Sequence, residues 1–193
     1  MTGTKRLRAD AERNTARILE AAETVLADEP GAPLERIADA AGLTRATVHR
    51  RFATRGALLE ALGARLEDRY RQAFEDAEAL TDEPRAALGR LAERVFELKV
   101  GHRFAIGLPG TPGEEVIGRL DELLDRLRGA GAVTATDRAW CRAVCLALLE
   151  QVHGLPATSP ELGAPAPGGP EEVRARAALF TRTLLGALGP REP

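Results

Sequence analysis

The chain has 193 residues, of which 44% are hydrophobic and 29% charged, so it can bury the core of a globular protein. Its formal net charge of −2 argues against binding of nucleic acid over the whole surface. No window approaches eighteen uninterrupted apolar residues, and the polar start MTGTKRLRAD is unlike a signal peptide, so we expect a cytoplasmic protein with no membrane partner.

The N-terminal region predicts one helix behind a polar, basic stretch. Residues 1–10 are expected to be disordered on their own. A helix over about 11–28 has a buried stripe at helical spacing, formed by Ile18, Leu19, Ala22, Val25 and Leu26. The sequence Glu29-Pro30-Gly31 ends it, because the residue before a proline avoids the helical region.

The stretch from Leu34 to Leu59 predicts a helix–turn–helix. Its first helix has an apolar face formed by Leu34, Ile37, Ala38 and Ala41. Gly42 can end that helix in the left-handed conformation, and Thr44 can cap the next. Val48 and Phe52, four residues apart, are expected to hold the second helix against the first.

The second helix is basic on its remaining positions. Thr44–Arg55 contains four arginines and no acid. Residues 1–56 carry ten basic and eight acidic residues, hence +2, whereas 57–193 carry 17 and 21, hence −4. The positive charge is therefore local, which favours a DNA-binding surface over a merely solvated face. The candidate DNA-binding residues are Thr44, Arg45, Thr47, His49, Arg50, Arg51 and Arg55.

Helical spacing continues through the rest of the chain. It covers five more segments, about 55–79, 82–101, 111–129, 137–154 and 170–188. No segment alternates with period two, so the fold is predicted to be all-α, with about nine helices. We expect a helix–turn–helix DNA-binding domain over 1–56 and a second helical domain over 57–193.

Local signals set the predicted ends of these helices. Thr54 is placed to cap the long helix, and Asp82-Glu83-Pro84 opens the next. Thr111-Pro112-Gly113-Glu114 reads as a capping box, and Thr136 or Asp137 as a later N-cap. The proline- and glycine-rich residues 155–170 predict an exposed loop.

Aromatic and soft polar residues are scarce after residue 57, and they are the candidates for a ligand pocket: Phe96, His102, Phe104, Trp140 and Cys145. A metal site near Trp140, Cys141, Cys145 and His153 is disfavoured against simple packing, because the four-ligand pattern is missing. The two thiols, four residues apart, are poorly placed for a structural disulfide. No catalytic constellation or cofactor motif is visible, so we do not expect an enzyme.

One combination of residues resembles the tetracycline-repressor (TetR) family of bacterial transcription factors. It is confined to about Arg13–Leu62 and consists of Arg13, Ile18-Leu19, Ala21-Ala22, Ile37-Ala38, Ala41-Gly42-Leu43, Thr44, Thr47-Val48, Phe52 and Leu58-Leu59. The resemblance implies that the helix Thr44–Phe52 enters the major groove of an operator. It also implies that Arg55 contacts a phosphate, that the last two helices form a homodimer, and that a small-molecule effector binds inside the second domain.

The chain departs from the family pattern at two places. His49 stands where the family usually has tyrosine, and Pro33-Leu34 where it often has threonine. Histidine still donates hydrogen bonds, with a shorter reach and a pH-dependent charge. The sequence leaves open an activator, a ligand-independent regulator, a non-specific DNA-binding protein, or a small-molecule carrier without specific DNA binding.

Overall fold

The computed structural model describes residues 2–101 and 112–190. Over these residues the chain forms eight α-helices and one short 3-10 turn, with no strand, which confirms the all-α prediction. The helices are α1 (Thr2–Asp28), α2 (Leu34–Ala40), α3 (Arg45–Arg51), α4 (Arg55–Ala79), α5 (Pro84–Gly101), α6 (Glu114–Gly129), α7 (Arg138–Gly154) and α8 (Pro170–Leu188). None of the described helices is long and apolar enough to cross a membrane.

The first helix begins earlier than predicted. Residues 1–10 were expected to be disordered, but α1 starts at Thr2. The segment Lys5–Ala9 consists of good helix formers, and extending an existing helix costs far less than nucleating one.

The chain divides into two compact units, and the division lies inside α4. The first unit ends at Leu66 and the second begins at Glu67, rather than at the expected 56/57 boundary. The reason is that Leu58 and Leu62, on the first two turns of α4, are fully buried in the core of the first unit. They pack there with apolar residues that include Ile18, Ala22, Ile37, Ala38, Val48 and Phe52.

The second unit has its own helical core. Phe96 on α5 and Phe180 on α8 meet edge to face, with ring centroids 6.1 Å apart. Polar contacts join α6 to its neighbours: Glu78 on α4 accepts from Arg119 and Arg126, each at 3.3 Å, and Asp121 accepts from Arg142 on α7 at 2.7 Å. These pairs fix α6 between α4 and α7.

Most predicted caps are confirmed. Thr54 accepts from the Ala57 amide at 3.1 Å, and Asp137 accepts from the Trp140 amide at 3.0 Å. The predicted capping box before α6 is wrong, because α6 begins at Glu114 with Gly113 as its N-cap. The Gly113 amide instead donates to Glu67 Oε2 on α4 at 3.0 Å, a partner distant in sequence.

The loop over residues 155–170 is only partly exposed, contrary to expectation. It contains a 3-10 turn at Pro160–Leu162, and both Leu162 and Ser159 are buried. Its end is anchored by Glu172, which accepts from the Gly168 amide at 2.6 Å. A loop rich in proline and glycine can therefore still pack when side chains on either side provide partners.

Candidate nucleic-acid interface

The turn between α2 and α3 is built by a left-handed glycine. Gly42 has φ +61°, a region that residues with a Cβ disfavour. Its amide donates to Asp39 O at 3.1 Å, and the Leu43 amide donates to Ala38 O at 3.0 Å, so two of the carbonyls in the last turn of α2 are satisfied. The chain is thereby redirected within two residues into the second helix of the motif.

Thr44 caps α3 as the sequence predicts. Its Oγ1 accepts from the Thr47 amide at 3.2 Å and lies 2.9 Å from Thr47 Oγ1. One face of α3 is apolar and buried: Val48 is fully buried, and Phe52, just after the helix, is nearly so. The capped helix is therefore held at a fixed angle on the core of the first unit.

The predicted DNA-binding residues of α3 are mostly exposed to solvent. Exposed side chains are Thr44, Arg45, His49, Arg50 and Arg51, whereas Thr47 is half-buried and its hydroxyl is close to that of Thr44. We call these exposed residues of the capped helix the α3 face. Arg55 is not among them.

Arg55 uses its guanidinium inside the protein. Nη1 donates to Ala32 O at 2.8 Å and Nη2 donates to Pro30 O, so both ends of the fork hold the connection between α1 and α2. The family resemblance implies a phosphate contact here. In this chain the guanidinium of Arg55 holds the start of α4 against the connection between α1 and α2.

Arg17 also donates to backbone carbonyls inside the protein, a role that the sequence did not predict. Its Nη2 donates to Ala41 O at 2.8 Å and lies 3.5 Å from Gly42 O, across the turn of the motif. The only signal in the sequence was an arginine directly before the buried Ile18, and this does not reveal a partner 24 residues away. Arg17 therefore links α1 to the carbonyls that α2 leaves open at its end.

An acid also lies beside the α3 face. Glu35, in the first turn of α2, has Oε1 3.5 Å from Nε2 of His49. The pKa of Glu35 is lowered, first by a backbone hydrogen bond and then by His49, with a further contribution from the charge of Arg45. The segment Thr44–Arg55 itself contains no acidic residue, but the fold places Glu35 of the neighbouring helix α2 beside it.

The structure describes three of the five candidate pocket residues, namely Phe96, Trp140 and Cys145. Phe96 and Cys145 lie in the core of the second unit, where burial raises the pKa of the Cys145 thiol to about 12. Trp140 is 59% exposed near the start of α7, while His102 and Phe104 lie outside the described residues. A groove of about 210 Å³ lies elsewhere, lined by Arg69, Gln72, Ala73, Asp76, Arg94, Glu97 and Leu98.

These features define an all-helical protein whose first unit is a helix–turn–helix head with a basic recognition helix. Residues 18–62 match the family model for bacterial regulatory proteins of the tetR family. The HTH-type transcriptional repressor LfrR of Mycolicibacterium smegmatis is 44% identical over 87 residues, a stretch spanning 45% of this chain and 46% of that repressor. The helix–turn–helix head is therefore similar in sequence to the DNA-binding region of tetR-family regulators.

Solved structures agree over nearly the whole length. The TetR-like regulator LfrR from Mycobacterium smegmatis in complex with proflavine has a TM-score of 0.60 and 27% identity, covering 94% of this chain and 98% of that chain. The regulator PfmR of Thermus thermophilus has a TM-score of 0.66 at 19% identity, covering 91% and 100%, which supports the fold alone. The resemblance therefore extends beyond the helix–turn–helix head to the fold of the second unit.

Proposed function

We propose that this chain is a ligand-responsive transcriptional repressor that binds a palindromic operator as a homodimer. The observation that carries the proposal is the α3 face: an N-capped recognition helix with Arg45, Arg50 and Arg51 exposed on it. Exposed arginines on such a helix can donate paired hydrogen bonds to guanine edges in the major groove or bind phosphates. The similarity to the repressor LfrR supports repression rather than activation of transcription.

The homodimer is proposed from the surfaces of α7 and α8. Their exposed positions include small or apolar residues that would otherwise face water: Trp140, Ala143, Ala147, Ala178, Gly186 and Ala187. Small residues let two copies of a helix pair approach closely and bury a continuous apolar face. A two-fold dimer would place two recognition helices about 34–36 Å apart, or a multiple of this, on an inverted repeat.

An effector is proposed to act through the second unit. LfrR has been crystallised with proflavine, a compound that is therefore a reasonable first probe here. Phe96 and Cys145 remain candidates for contact from the core, and Trp140, His102 and Phe104 remain candidates by position alone. An effector that favours a misaligned spacing of the two heads by a few kcal/mol would release the operator.

The decisive experiment selects duplexes from a random pool with the purified protein at about 150 mM salt, which suppresses non-specific binding. We expect enrichment of an inverted repeat. The dissociation constant of Arg50→Ala for the enriched duplex should then rise about tenfold or more, since an arginine–guanine contact contributes about 1–3 kcal/mol.

The matched control is Arg85→Ala, which removes the same charge from an exposed position on α5. Its affinity for the enriched duplex should stay at the wild-type value. Equal affinity of Arg50→Ala and the wild type would remove Arg50 from the interface. Failure to enrich any sequence with a folded protein would favour a small-molecule carrier over a repressor.

A further inference from the structure

Arg17 on α1 holds one end of its guanidinium against the turn between α2 and α3. Nη2 donates to Ala41 O at 2.8 Å and lies 3.5 Å from Gly42 O. A Cβ added to Gly42 would come within 3.2 Å of the same nitrogen, so the side chain lies directly against the turn. The backbone of the turn therefore fixes the position of this guanidinium, although Arg17 is exposed.

That position adjoins the start of the recognition helix. Gly42 stands two residues before Thr44, the N-cap of α3, so their Cα atoms lie within about 8 Å of each other. Both residues and Arg45 are exposed, so the described residues leave this end of the motif uncovered. In a helix–turn–helix the first residues of the second helix reach base edges while the first helix crosses the DNA backbone. The turn between them then lies beside the phosphates that border the groove.

The charge of Arg17 is not neutralised by its neighbours on α1. Arg13, one turn earlier, pairs with Asp10. Glu20, one turn later, has Oε1 3.7 Å from Nη2 of Arg65 on α4. Within the part of the chain that the structure describes, Arg17 itself forms no ion pair, and its hydrogen bonds use only Nη2. The N–H groups of Nε and Nη1 are therefore left for another acceptor.

We propose that Arg17 binds an operator phosphate, and that the turn carbonyls hold its guanidinium in place for this contact. The inference rests on the proposed DNA-binding function and adds to it a cation from α1, outside the recognition helix. A phosphate fits because it is an anion whose oxygens accept paired N–H groups from a guanidinium. Arg55 differs, because Nη1 and Nη2 both donate to backbone carbonyls.

A phosphate contact has a signature that a purely structural role lacks. Each neutralised phosphate of B-DNA contributes about −0.9 to the slope of the logarithm of the association constant against the logarithm of the salt concentration. Loss of the contact should make the slope shallower by about 0.9 for each bound head, which amounts to about fivefold weaker binding per head at about 150 mM salt. Because phosphates carry no sequence information, the enriched duplex and a random duplex should lose affinity by the same factor.

The test measures association constants of the full chain between about 100 and 300 mM salt, for the duplex most enriched by the wild type and for a random duplex. Arg17→Gln removes the charge, and Arg17→Lys keeps it. Arg85→Gln removes the same charge from an exposed position on α5 and serves as the control. Circular dichroism verifies that every variant is folded. A second measurement needs no variant: phenylglyoxal modifies exposed arginines of the wild type, and mass spectrometry locates the modified residues with and without the enriched duplex.

We expect Arg17→Gln to bind both duplexes more weakly with a shallower slope, Arg17→Lys and Arg85→Gln to keep the wild-type slope, and the bound duplex to protect Arg17 but not Arg85 from phenylglyoxal. A loss confined to the enriched duplex, at the wild-type slope, would mean that Arg17 acts only through the turn, which overturns the proposal. So would an Arg17 that is equally reactive in the complex, or unchanged binding by Arg17→Gln. A wild type that binds no duplex would instead contradict the proposed DNA-binding function itself.

Discussion

Arginine residues of the head have two distinct uses. Arg50 and Arg51 are exposed on α3, whereas Arg17 and Arg55 donate to backbone carbonyls of the turn and of the connection between α1 and α2. All four carry the same charge, so sequence alone places them in one basic group. The difference arises because carbonyls at the ends of helices need donors, and a guanidinium can satisfy two of them at once.

The Arg55 contact leads to a prediction about Arg55→Lys. Lysine keeps the charge that a phosphate would need but lacks the fork that spans Ala32 O and Pro30 O. We expect the free energy of unfolding to fall by about 1–2 kcal/mol in urea titrations, the value of a charged hydrogen bond at a partly buried site. Operator affinity at a temperature where the variant is folded should change less than about twofold.

The control for this prediction is Arg51→Lys, an exposed position on α3. Its free energy of unfolding should equal that of the wild type. Should Arg55→Lys keep full stability while losing operator affinity, Arg55 would have to be returned to the phosphate-contacting residues that the family resemblance implies.

Helix ends show what the sequence could and could not predict. Thr44, Thr54 and Asp137 cap through amides three residues ahead, a local pattern that the sequence displays directly. The Gly113 amide, by contrast, donates to Glu67, which is 46 residues away in the sequence. No residue near 113 indicates this contact. The same limit applies to the α3 face: its basic residues were predictable, but the approach of Glu35 depends on how α2 packs against α3.

A buried network joins the end of α7 to α8. Arg176 is 4% exposed. It donates to His153 O, in the last turn of α7, at 3.1 Å and to Leu155 O, just after α7, at 2.8 Å. Its Nε donates to Glu172 Oε1 at 2.8 Å, one turn earlier on α8. Arg176 therefore supplies donors to the open carbonyls at the end of α7 and is neutralised by its own helix.

Substitution of one partner in this network should be strongly destabilising. Arg176→Met keeps the apolar stem but leaves Glu172 buried without its cation and the α7 carbonyls without donors. We expect a loss of about 3–5 kcal/mol in the free energy of unfolding, measured by urea denaturation. Arg174→Met, at an exposed position on the same helix, should cost less than about 1 kcal/mol. Similar values for the two variants would mean that the network does not hold α7 to α8.

At the scale of the whole molecule, charge is divided unequally along the chain. A net charge of −2 conceals a head with excess positive charge and a remainder with excess negative charge. The negative remainder discourages general attraction to DNA, so we expect the proposed operator binding to depend on the α3 face. Because α3 has only seven residues, one copy of it can contact few bases. Two copies of the protein on an inverted repeat would double the number of base contacts. Specific binding is therefore expected to require the dimer.

The proposed dimer can be tested by a substitution outside the described core. Ala147 is exposed on α7, and Ala147→Glu places a charge in the proposed interface, where burial without a partner is costly. We expect a monomer in analytical ultracentrifugation with unchanged helix content. Its binding to an inverted repeat should be weaker than that of the wild type by about a hundredfold or more, because only one head can bind.

Trp140 gives this prediction an independent readout, since it is the only tryptophan and lies 59% exposed on the same helix. Burial of its indole against a partner copy should shift the wild-type emission to shorter wavelength as the protein concentration rises, and Ala147→Glu should abolish the shift. Ala64→Glu, which adds the same charge at an exposed position of α4, should still dimerise. If Ala147→Glu remains a dimer with a concentration-dependent shift, the two copies meet through a surface other than this face of α7, and the spacing of their recognition helices must be derived from that surface.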